Sequence, residues 1–122
     1  MTAILKLQSN YGLNTVLVQS FIDRKSTQLV YYINAYWHDH LPYKEFENFM
    51  WDTLEEWAQV EHKNTQLYSH KERVFWHLLH ETQYASAEAL KSDDTLKNQI
   101  EFCLQYLQTN RACPLDVVGM RP

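Results

Sequence analysis

Two glycines and three prolines are all that this chain of 122 residues contains, and that scarcity limits its fold more than any other feature. A β-sandwich or barrel needs a turn roughly every 8 to 12 residues, built from residues that accept positive φ or fix φ in advance. Helices joined by short polar loops need few of either. Hydrophobic residues at 45% and charged residues at 21% are globular values, and a chain of this size buries about two-thirds of its unfolded surface around one core. Four Trp, eight Tyr and five Phe mean that the core rests on large rings. The expected fold is all-α: a single domain over residues 1–122, a compact bundle of about four to six helices.

Periodicity locates most of the elements. Residues 43–62 place Phe46, Phe49, Met50, Leu54, Trp57 and Ala58 on one side and Glu45, Asp52, Glu55, Glu56 and Gln59 on the other, the pattern of a core-facing helix. Pro42 suits its first turn. Residues 68–84 open on Ser69 and Glu72, a capping box in which each side chain satisfies a free backbone N–H. Val74, Phe75, Leu78 and Leu79 then face inward, while Arg73, Trp76, His77, His80, Glu81 and Tyr84 share the other face. The Ala-rich stretch 85–90 extends this helix, since Ala is the best helix former. Ser92-Asp93-Asp94 starts a last helix with Leu96, Ile100, Cys103, Leu104 and Leu107 inward, ending at Asn110. The expected core is Phe46, Phe49, Leu54, Trp57, Val74, Leu78, Ile100, Leu104 and Leu107.

The first third of the chain supports two readings. In one, Ile4, Leu5 and Leu7 mark a docked segment, Asn14 caps a short helix over 15–23, the polar run 23–26 connects, and a second helix covers 27–40. In the other, Val16-Leu17-Val18 and Val30-Tyr31-Tyr32-Ile33 pair as a β-hairpin within 15–35, making the fold α+β. The lack of glycine at the turn favours helices. Residues 111–122, with Pro114, Leu115, Val117, Val118 and Met120, are too apolar for a solvated tail and are expected to dock on the domain or on a second copy.

Several chemistries have no foothold. Gly12 and Gly119 are the only glycines, so no glycine-rich loop can cradle a phosphate. Neither Cys103 nor Cys113 lies in a nucleophile motif or a C-x-x-C pair. No cofactor is implied. Basic residues are scattered and the net charge is −4, which weighs against nucleic acid and anionic lipid as partners. No run is long enough to cross a bilayer, and the amino end has no leader-like pattern; the expected location is cytoplasmic.

Two features invite a functional reading. Residues 42–62 hold six acids (Glu45, Glu47, Asp52, Glu55, Glu56, Glu61) against Lys44 alone, a net −5 in one element. Such a face steers a basic partner electrostatically, and Trp51 beside it is a residue type enriched in binding hot spots. The bland alternative is a solvated face. The second feature is His77, His80 and Glu81, three potential metal ligands on one helical face. They lack the H-E-x-x-H arrangement and reverse the Glu-x-x-His order of di-iron bundles. Histidines that hydrogen-bond at the edge of a packed helix are the favoured account, and His38 and His40 read as dipole partners at a helix end.

The leading reading is a non-enzymatic protein–protein interaction or regulatory module. Its partner is another protein with a basic surface, met by Trp51, Asp52, Glu55, Glu56, Trp76 and Tyr84. The alternative is a metal-binding protein or metal-dependent enzyme using His77, His80 and Glu81. Trp76 and Tyr84, opposite the apolar stripe of their helix, point to a homodimer that hides them at a two-fold interface. A single core that wraps this helix on all sides is the monomeric solution.

Overall fold

Ser69 opens the helix around which the others pack. Its backbone is extended, and its side-chain oxygen accepts the Glu72 N–H at 3.0 Å, one of the free donors of a helix start. The computed structural model describes residues 2–61, 63–109 and 119–122, with side chains described from Val18 onward except that of Asn64. Among these residues five helices follow one another: α1 (Thr2–Trp37), α2 (Tyr43–Ala58), α3 (His70–Tyr84), α4 (Ala87–Ser92) and α5 (Asp94–Thr109), with a 3₁₀ turn at Lys63–Thr65. No strand occurs among the described residues. The all-α expectation holds, and no helix is long and apolar enough to cross a membrane among those described.

The hairpin within 15–35 is overturned, and so is the connection at 23–26. Both regions belong to the uninterrupted α1. Its buried stripe runs Val18, Phe21, Ile22, Lys25, Ser26, Leu29, Ile33 and Tyr36, the three-and-four spacing of one helical face. Lys25 and Ser26 therefore occupy core positions despite their polarity. The Lys25 ammonium reaches Glu56 of α2 at 2.8 Å and passes 5.4 Å from the Phe49 ring, so its stem fills apolar space while its charge is paired. The Asn14 cap is also absent, because the α1 backbone is already helical there.

Helix α3 packs against α1, α2 and α5, while α1 also lies on α2 and α5 and α4 sits on α5. Val74, Phe75, Trp76, Leu78 and Leu79 are all sealed from solvent. The expectation that α3 turns one aromatic face outward is thus corrected at Trp76, which is 0% exposed. Its ring lies 5.0 Å from Trp57, 4.8 Å from Phe75 and 6.4 Å from Phe21. Elements on three sides leave α3 no solvated face at that position. Of the expected core, Phe46, Phe49, Trp57, Val74, Leu78, Ile100 and Leu104 are buried, and Leu54 and Leu107 are half-buried against it.

The Ala-rich extension of α3 does not form. Ala85 turns extended, and Ser86 caps the separate α4 by accepting the Ala89 N–H at 3.0 Å. The end of α1 holds α4 in place: Tyr36 Oη donates to the Ala87 carbonyl at 2.8 Å, and Trp37 Nε1 donates to the Leu90 carbonyl at 2.9 Å. Asp93 accepts the Leu96 N–H at 3.2 Å and starts α5, the expected cap. Helix α2 ends at Ala58, four residues before its expected limit.

Candidate functional site

Helix α2 turns its acidic side to solvent, as its pattern requires. Trp51 is 55% exposed and Asp52 and Glu55 are exposed beside it; a spacing of four residues puts Trp51 and Glu55 on one ridge. The six acids are not equivalent. Glu56 is held by Lys25 at 2.8 Å and by Arg24 at 3.5 Å, and Glu47 pairs with Lys44 at 3.1 Å. Glu45, Asp52 and Glu55 have no ion-pair partner among the described residues. Of the expected contact residues, Trp51, Asp52 and Glu55 therefore form one open surface. Glu56 belongs to the α1–α2 junction, where it borders a groove of about 650 Å³ with Arg24, Gln28, Gln59 and Glu61. Trp76 lies in the core, and Tyr84 stands at the far end of α3, 86% exposed.

The histidine face of α3 is a different place. His77 Nε2 lies 3.6 Å from Glu81 Oε1, an ion-pair distance beyond hydrogen bonding. His80 Nε2 donates to the Met120 carbonyl at 3.2 Å, and its ring approaches Tyr84 at 6.5 Å. These four α3 residues line a shallow depression of about 250 Å³. No group of three His, Cys, Asp or Glu among the described residues is placed to hold a metal ion. His80 is engaged with backbone instead, and the metal alternative gains no support. The pair His38 and His40 stack at 6.1 Å at the end of α1, where His38 Nδ1 donates to the Asn34 carbonyl at 2.7 Å, the helix-end role expected of it. Asp39 between them takes φ 59° and pairs with Lys91, which holds its carboxyl below the usual carboxylate range.

Burial pushes the Cys103 thiol up to about 11, with Glu81 adding to the effect, so it is protonated at neutral pH. That removes the thiolate character a reactive cysteine needs. Cys113 and the tail residues Pro114, Leu115, Val117 and Val118 lie outside the described residues.

One site escaped the sequence reading. Arg121 reaches under α3, where Nε and Nη2 donate to the two oxygens of Glu72 at 2.5 and 2.9 Å. Nη1 donates to the carbonyls of Lys63 and Gln66 at 2.5 and 3.0 Å. The rings of Tyr68 and Trp57 stand 4.3 and 5.6 Å from its central carbon. Glu72 also accepts the Trp76 indole N–H at 3.0 Å. It is drawn away from the reciprocal half of its capping box, leaving only the Ser69 half in place. The signal was present in part: Glu72, Phe75, Trp76 and Leu79 share one helical phase, and a carboxylate in a buried phase calls for a cation. Nothing in the pattern names that cation as a residue 49 positions away. No protein-family model, curated protein or solved structure matches this chain.

Proposed function

We propose that this chain is a non-enzymatic helical interaction module that captures a basic protein surface with the outer face of α2. The observation that carries this reading is Trp51, 55% exposed, beside Asp52 and Glu55, whose charges have no counter-ion among the described residues. A large exposed ring is costly to hydrate and supplies contact area, and the flanking carboxylates supply steering and register. Lys25 and Arg24 neutralise Glu56, so the attractive field centres on Asp52, Glu55 and Glu45. Self-association, a second part of the proposal, falls to the exposed Tyr84 and Met120, because Trp76 is enclosed in the core.

Affinity capture on the immobilised chain tests the reading. Trp51→Ala, and separately the pair Asp52→Lys and Glu55→Lys, are expected to lose the captured protein. The two charge changes shift folding stability by no more than about 0.5 kcal/mol, as surface changes do, whereas Trp51→Ala costs more because part of Trp51 is covered. Capture by the parent should weaken as salt rises. An identical set of captured proteins from all three chains would return this face to plain solvated surface.

A further inference from the structure

The surroundings of Arg121 have the construction of a ligand pocket, and its occupant is a segment of the same chain. Four donors of one guanidinium meet two carboxylate oxygens and two carbonyls, all between 2.5 and 3.0 Å. The rings of Tyr68 and Trp57 lie against the cation. A planar fork matched to a carboxylate, with aromatic walls, selects guanidinium over ammonium, which has neither the fork nor the flat face.

The backbone around it is read as closely. The Arg121 N–H donates to Tyr68 Oη at 2.9 Å, and the Met120 carbonyl accepts from His80 at 3.2 Å. Gly119 lies on the backbone of α3. A Cβ there would fall 1.9 Å from the Arg73 oxygen and 2.7 Å from the His77 nitrogen, contacts that rigid helix backbone cannot relieve. The Met120 side chain, in contrast, is 67% exposed. The site therefore demands glycine, leaves the next side chain open, and demands arginine. An open groove of about 570 Å³ between α1 and the start of α3 borders the site at Gln66 and Glu72.

We propose that this clasp is a recognition site for a Gly-x-Arg segment. Residues 119–121 are its occupant in cis, and the same sequence on a separate molecule binds there when the cis segment is displaced. The specificity follows from the contacts: glycine for the close approach to α3, any residue at the second position, arginine for the carboxylate, the carbonyls and the rings.

The test uses the full chain with Gly119→Ala, whose added methyl collides with α3 and displaces the segment. The probe is the blocked peptide acetyl-Gly-Met-Arg-Pro-amide. At about tenfold above its dissociation constant the peptide should raise the melting temperature of the variant by about 5 °C. Peptides with Ala in place of Gly, or Lys in place of Arg, should leave it unchanged. If Gly119→Ala does not fold, Arg121→Ala is read in the same way with the same three peptides. No rise with the Gly-Met-Arg-Pro peptide on a folded variant, or an equal rise with all three peptides, overturns the proposal.

Discussion

At Glu72 a single carboxylate serves Trp76 on its own helix and two nitrogens of Arg121 from the end of the chain. Both partners are largely desolvated, Trp76 fully and Arg121 nearly so, and Glu72 itself is sealed from solvent. Truncating one member of such a set leaves the others with uncompensated charge, which outweighs the net worth of the pair. Glu72→Ala is therefore expected to cost about 3–5 kcal/mol, measured by urea unfolding. In a cycle with Arg121→Ala the two losses should fail to add, because the second change removes the orphaned cation created by the first. A cost near zero for Glu72→Ala would mean that the clasp does not persist in solution.

Helix α1 shows what an element can conceal in its own sequence. Its interior run Asp23-Arg24-Lys25-Ser26 reads as a loop, yet Lys25 and Ser26 continue the buried stripe between Ile22 and Leu29. If the helix is unbroken, Arg24→Pro removes one backbone hydrogen bond and strains the turn before it, costing about 3 kcal/mol or more by thermal melting. A connecting loop would absorb the same proline with little change. The helices α2, α3 and α5 were legible because their apolar stripes keep one period and their starts carry Pro42, Ser69 and Asp93. The break between α3 and α4 was not, since Ala85 and Ala87 favour helix and only Ser86 argues for a new start. The polar pair in α1 misled for a definite reason: composition records polarity, whereas a lysine whose ammonium meets Glu56 buries its stem like an aliphatic residue.

Across the whole molecule, the same limit governs the candidate sites. The exposed face of α2 follows from one helix and its period, so Trp51, Asp52 and Glu55 were readable, while the loss of Glu56 to Lys25 depends on how α1 packs. Trp76 was misplaced because a helix surrounded on three sides has no outer face there, and neighbours are not written in the helix itself. The Arg121 clasp lay furthest from view, as it joins positions 49 to 58 residues apart. That separation has a kinetic meaning. Contacts of α2 with its neighbours, such as Tyr32 with Phe49 and Trp57 with Trp76, close shorter spans, and a longer loop closes at a greater entropic cost. The clasp is then expected to form after the rate-limiting barrier, so that losing it acts on the way out of the native state. Arg121→Ala should leave the refolding arm of a chevron plot nearly unmoved and raise the unfolding arm by the whole of its destabilisation. The last few residues would in that way set how long each molecule stays folded and hardly affect how fast it gets there.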